Sequence, residues 1–165
     1  MKCPECRAEM TAHLVPAYRY TESGLPNVVL HGVTRLECPN GHGGAVSIPR
    51  LAGLARVLAR AVASGPARLG GAEIRFLRKY LGWSGVDFAR TMGVDPATVS
   101  RWENDKEPMG PVAERLLRLM AVRGIPVDEY PTERLADVAR DDAPRRGRLD
   151  LSISPSGWRA SDEAA

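Results

Sequence analysis

Residues 83–104 read WSGVDFARTMGVDPATVSRWEN, and this stretch decides the fold of the second half of the chain. Ser84 with Asp87 three positions later is a capping-box pattern that opens a helix. Gly93 closes it, because glycine accepts the left-handed conformation common at helix C-termini. Asp95-Pro96 opens a second helix, a favoured N-cap followed by proline at the first helical position, and Asn104-Asp105 marks its end. Ala89, Gly93 and Val99 stand four and six positions apart. They supply a small residue where two helices cross, a glycine at the turn and a β-branched residue that locks the second helix. That is the requirement of a DNA-binding helix-turn-helix.

Supporting helices are expected on both sides. Ile74, Leu77 and Leu81 define one that ends at Gly82. Residues 111–123 define another, with Val112, Leu116, Leu119 and Met120 as its apolar residues and Gly124 and Pro126 as its stop. Residues 50–63 read as an amphipathic helix bearing Leu51, Leu54, Leu58, Ala61 and Val62, stopped by Ser64-Gly65-Pro66.

If the second helix of the pair enters the major groove, its core face is Val99 and Trp102, and Ala97, Thr98 and Arg101 face outward. Arg101 is the expected base reader, since a guanidinium bonds guanine O6 and N7 in a bidentate way. Thr98 and Ala97 suit a thymine methyl or a phosphate. Ser84, with the N–H groups of Gly85 and Val86 at a helix N-terminus, suits a phosphate oxygen, as does Lys106. Glu103 on a DNA-facing helix needs a partner, and Arg78 on the preceding helix is the candidate for a structural ion pair.

The first 49 residues lack helical periodicity and show short strand-like runs broken by turn residues, as in a small antiparallel sheet. So few residues do not make a self-sufficient core, and a metal would supply the missing constraint. Cys3-Pro4-Glu5-Cys6 and Cys38-Pro39-Asn40-Gly41-His42 offer three thiols and an imidazole in two close pairs. Zinc takes four tetrahedral ligands of this kind. One structural Zn²⁺ per chain is therefore expected on Cys3, Cys6, Cys38 and His42. His42 is the chosen fourth ligand because it lies four positions after Cys38, whereas His13 and His31 stand alone in strand-like runs. Four protein ligands leave no open position for water or substrate, so the metal points to folding and not to an enzyme.

Composition agrees with modules of this size. Among the 165 residues, 26% are charged and 44% hydrophobic, which argues against wholesale disorder and against membrane residence. The net charge of +3 hides a pattern: residues 50–71 hold four basic and no acidic residues, whereas residues 126–165 hold six basic and nine acidic. Nucleic-acid binding is thus expected in the middle of the chain. No apolar leader follows Met1-Lys2, so a cytoplasmic protein is expected, where an odd number of cysteines favours metal over disulfide.

CPEC at 3–6, CPNGH at 38–42, LRKYLGWS at 77–84, FARTMGV at 88–94 and SRWEN at 100–104 together resemble the MqsA-type antitoxins, a YgiT-type zinc finger followed by an Xre/Cro-type helix-turn-helix. The resemblance covers residues 1–124. It implies that the zinc domain binds and neutralises a toxin while the helical domain dimerises and represses its own operon. It also implies zinc on Cys3, Cys6 and Cys38, base contact through Arg101 and a recurring Arg78–Glu103 ion pair. Two departures stand out. The family's second knuckle usually ends in cysteine where His42 stands, offset by one, and the family's base-contacting asparagine falls at Ala97. Its helix also often starts with glutamine where Gly85 stands.

The expected fold class is α+β, with four segments. Residues 1–49 form a zinc-stabilised antiparallel β module, 50–71 a connecting helix and linker, 72–125 an all-α Xre/Cro-like helix-turn-helix, and 126–165 a partly mobile C-terminal extension. Within the extension, 132–140 suit a short helix, the alternation of Leu149, Leu151 and Ile153 suits one strand, and the last ten residues are expected to be mobile. One monomer reads few base pairs, so a homodimer on double-stranded DNA with a palindromic operator is expected. The reading is a sequence-specific repressor and antitoxin with a protein toxin as partner. The alternative is a stand-alone regulator of the same architecture.

Overall fold

The computed structural model describes residues 1–123, 144 and 147–161. The chain divides into one unit of Met1–Tyr20, Asn27–Leu54 and Arg148–Ala165, and a second of Thr21–Pro26 and Ala55–Gly147. The class is α+β.

The first unit holds β1 (Thr11–Val15), β2 (Tyr18–Arg19), β3 (Val28–His31), β4 (Val33–Glu37), β5 (Gly44–Ser47), β6 (Leu149–Ser154) and β7 (Gly157–Ala160). One sheet is antiparallel in the order β1-β4-β5, and the other runs β2-β3-β6-β7. Gly32 is the one residue between β3 and β4. Its φ of +79° lets the chain change sheets, and a Cβ there would lie 2.7 Å from Ile153 Cγ2.

Two expectations are corrected here. The antiparallel N-terminal sheet is present as β1-β4-β5, but it does not take in every N-terminal strand, because β3 pairs in parallel with β6, Val28 opposite Leu149 and Leu30 opposite Leu151. These four side chains are buried, so the alternation of Leu149 and Leu151 finds its match on a strand more than a hundred positions away. Nor are the last ten residues mobile throughout. Residues 157–160 form β7, antiparallel to β6 across the two-residue loop Pro155-Ser156, and Trp158 is buried with its Nε1–H donating to the Pro49 carbonyl at 2.8 Å. The helix expected at 132–140 lies outside the described residues.

α1 (Leu51–Ser64) enters the second unit at Ala55, which also holds α2 (Gly71–Tyr80), α3 (Gly85–Met92), α4 (Pro96–Glu103) and α5 (Pro111–Val122). Phe88, Ala89, Val99, Trp102, Leu77 and Leu117 are buried. Phe88 stacks on Trp83 at 6.0 Å between centroids and meets Trp102 edge-on at 6.3 Å.

The face α5 buries differs from the apolar stripe in its sequence. Glu114 and Arg118 are fully buried beside Leu117, Ala121 and Val122, while Val112, Leu116 and Leu119 are 78%, 38% and 36% exposed. The reason is polar. Arg118 donates to the carbonyls of Ala63, in the last turn of α1, and of Gly65 and Ala67 in the linker after it, at 2.9, 2.5 and 2.6 Å, and Nη2 lies 2.6 Å from Glu114 Oε1. Glu114 Oε1 also accepts the Leu69 N–H at 3.0 Å. Val86 of α3 is likewise exposed, and Phe88 and Ala89 supply the buried side chains of that helix.

Candidate metal centre and nucleic-acid interface

Two knuckles bring the cysteines and the histidine together. In the first, Arg7 N–H donates to the Cys3 carbonyl at 3.0 Å and Arg7 takes a positive φ of 60°. In the second, Gly41 N–H donates to the Cys38 carbonyl at 3.1 Å, and Gly41 and Gly43 have φ of +77° and +88°. These turns aim four donors at one point. The Cys6 and Cys38 sulfurs are 3.5 Å apart, and His42 Nδ1 lies 3.9 Å from Cys3 Sγ and 3.6 Å from Cys38 Sγ. All four donor atoms fall within 4.8 Å of one another.

Metal–sulfur bonds of about 2.3 Å and metal–nitrogen bonds of about 2.0–2.1 Å give tetrahedral edges of roughly 3.5–3.8 Å. The donor set therefore fits a tetrahedral zinc-type site, with His42 offering Nδ1. His13 and His31 are not among the clustered donors.

Cys6 and Cys38 sit in different surroundings. The backbone N–H of Ala8 and the side chain of Asn40, whose Nδ2 lies 3.4 Å from Cys6 Sγ, lower the Cys6 thiol to about 6. Burial raises Cys38, against N–H donation from His42 and Asn40. Asn40 was legible only as a turn residue of the knuckle, and its place beside sulfur follows from the fold.

In the helical unit the capping box forms as expected. Ser84 Oγ accepts the Asp87 N–H at 3.1 Å, and Asp87 Oδ2 accepts from Ser84 N and Oγ at 3.2 and 2.6 Å, bonds that lower the Asp87 carboxyl. Gly93 is left-handed at φ +66°. Asp95 caps α4, its Oδ1 accepting the Ala97 N–H at 2.7 Å.

Val99 and Trp102 point into the core, and Ala97 and Arg101 are exposed on the same helix. Thr98 is half-buried, and its Oγ1 accepts from Arg101 Nη2 at 2.7 Å. Arg101 Nε donates to Glu107 Oε2, also at 2.7 Å. Lys106 is exposed just past α4, and Ser84 is exposed at the start of α3.

Glu103 lies 2.5 Å from Arg78 and 3.2 Å from Arg75, with its side chain almost covered. Burial raises its carboxyl, and the hydrogen bonds and charges of Arg78 and Arg75 outweigh that and hold it low. The ion pair expected at Arg78 and Glu103 is therefore present, and Arg75 joins it. Sequence spacing did not reveal Arg75, or Glu107 beside Arg101.

Residues 74–124 match the family model described as helix-turn-helix. The chain carries a helix-turn-helix domain. A domain of this type is a DNA-binding regulatory module. The match covers the helices around Ala89, Gly93 and Val99 and does not extend to the cysteines. No curated protein and no solved structure matches the chain. Among the described residues, no helix is long and apolar enough to cross a membrane.

Proposed function

We propose that this protein is a sequence-specific transcriptional repressor, held together at its N-terminus by one structural zinc, and the antitoxin of a toxin–antitoxin pair in the cytoplasm. The observation that carries the DNA-binding reading is the helix-turn-helix with Ala97 and Arg101 exposed along α4 and the half-buried Thr98 hydroxyl bonded to Arg101. Arg101 reads a guanine, Thr98 and Ala97 contact a thymine methyl or a phosphate, and Lys106 and the N-terminus of α3 around Ser84 meet the backbone. Arg78 and Glu103 hold the helix pair in shape and do not touch DNA.

A homodimer on a palindrome completes the reading, since one α4 spans too few base pairs. Val112, Leu116 and Leu119, exposed in one stripe along α5, support such a seam. Zinc on Cys3, Cys6, Cys38 and His42 is supported by donor identity and spacing. The toxin partner rests on the resemblance to MqsA-type antitoxins, and the exposed strand β1 with Leu14 on its surface offers it a face. The test of this part is co-expression. The neighbouring reading frame is expected to arrest growth alone and to be harmless with this chain. Absence of toxicity would make the protein a stand-alone regulator.

A further inference from the structure

We propose that Glu107 is a specificity-determining residue: it fixes which edge of the Arg101 guanidinium is offered to a base. The inference rests on the assignment of Arg101 as base reader and deepens it. Arg101 donates from Nε to Glu107 Oε2 and from Nη2 to Thr98 Oγ1, each at 2.7 Å. These two bonds occupy the Nε/Nη2 edge. The distal Nη1/Nη2 edge then remains for the O6 and N7 acceptors of a guanine, and the arginine is presented end-on.

The position of Glu107 follows from a defined turn. Past α4, Asp105 N–H donates to the Trp102 carbonyl at 3.2 Å and Lys106 N–H to the Arg101 carbonyl at 2.9 Å, the bond pair of a Schellman motif. Asp105 takes the left-handed position usually held by glycine, with φ 54°, and its Oδ1 accepts the Gly71 N–H at 2.7 Å, tying the turn to the start of α2. Met109, fully buried, anchors the other side. Glu107 is thus held between two fixed points.

An exposed ion pair of this kind adds little to stability, so its consequence lies in binding. It orders a long side chain before DNA arrives, which reduces what must be ordered on contact. It also sets a negative charge at the DNA-facing end of α4, which weakens sequence-independent attraction to phosphates. Both effects widen the gap between a cognate site and random DNA.

The test is in vitro selection from a randomised duplex library by the full zinc-loaded chain, repeated with Arg101→Ala, Glu107→Ala, Glu107→Gln and the double variant Arg101→Ala/Glu107→Ala. The wild type is expected to enrich a guanine in each half-site, and Arg101→Ala to lose it. Glu107→Ala is expected to bind unselected duplex more tightly while guanine enrichment falls about tenfold. Glu107→Gln, whose amide oxygen still accepts from Nε, is expected to keep most of that enrichment. The double variant should match Arg101→Ala.

Undiminished guanine enrichment in Glu107→Ala, beside its loss in Arg101→Ala, would overturn the role of Glu107 and leave Arg101 in place. Absence of any selected motif, or a guanine that survives Arg101→Ala, would instead remove the base-reading assignment itself.

Discussion

Replacing Arg118 by alanine is expected to be among the most damaging single changes in the helical unit, although the residue touches neither metal nor DNA. In the wild type its guanidinium satisfies three backbone carbonyls, of Ala63, Gly65 and Ala67, and the Glu114 carboxylate, with both side chains at 0% exposure. Removal leaves a buried carboxylate without its cation, for which losses of about 3–5 kcal/mol are typical. Among the described residues Glu114 keeps only the Leu69 N–H on Oε1, and its Oε2 has no partner there to begin with. Small domains have total stabilities of roughly 5–15 kcal/mol, so the midpoint should fall by at least about 10 °C, and in a marginal domain the unit should not fold at all.

Urea denaturation followed by far-ultraviolet circular dichroism is the assay, read with Glu114→Gln beside it. The glutamine keeps an acceptor toward the guanidinium and loses the charge, so it should cost less than Arg118→Ala. A loss under about 1 kcal/mol for Arg118→Ala would refute the claim that this pair and its carbonyl bonds hold the end of α1 and the following linker onto α5.

Other outcomes follow from the same geometry. One zinc per chain is expected after purification without chelators, with His42→Ala losing most of it and chelation unfolding the first unit; full zinc in His42→Ala would remove His42 from the ligand set. His31 bonds Asp150 at 2.7 Å and the Pro16 carbonyl at 2.6 Å, which raises its imidazole, while His31 and Arg148 lower the Asp150 carboxyl. The raised histidine stabilises fully below its unfolded value near 6.5, and that contribution disappears as pH climbs through the folded value. The lowered carboxylate stabilises above about 4 and loses its contribution as pH falls through its own folded value. The β3–β6 pairing should therefore be strongest between about pH 4 and 6.5, seen as protection of β6 amides from exchange, and His31→Gln should abolish the alkaline loss. Gly71→Ala would put a Cβ 2.6 Å from the Glu103 carbonyl oxygen, a backbone atom that does not swing aside, and should destabilise by about 1–3 kcal/mol in thermal melts.

Much of this was legible from local chemistry. Ser84 with Asp87, Gly93, and Asp95 with Pro96 state their helix boundaries within a few residues, because capping is satisfied by neighbours in sequence. The knuckles were legible for the same reason: each ligand pair is a turn. Long-range pairing was not. Leu149 and Leu151 announce a strand, but nothing in their spacing names β3 as its partner, and a lone Trp158 among small and polar residues gives no period at all. α5 misled by a different route. Its apolar residues at helical spacing predict the buried face, yet an arginine that satisfies carbonyls and a carboxylate together is better placed inside than Val112. The surroundings of Arg101 were hidden as well, since Glu107 reaches it only through the turn at Asp105.

The central claim is that α4 reads DNA through Arg101. Its most direct test is competition binding at one fixed salt concentration, with the full zinc-loaded chain, a duplex from the region upstream of its own reading frame and a scrambled duplex of equal length. The wild type is expected to prefer the upstream duplex by at least about a thousandfold. Arg101→Ala should lose roughly 1–3 kcal/mol of that preference while keeping its circular dichroism spectrum. Equal affinity of the wild type for both duplexes, or a preference untouched by Arg101→Ala, would contradict it.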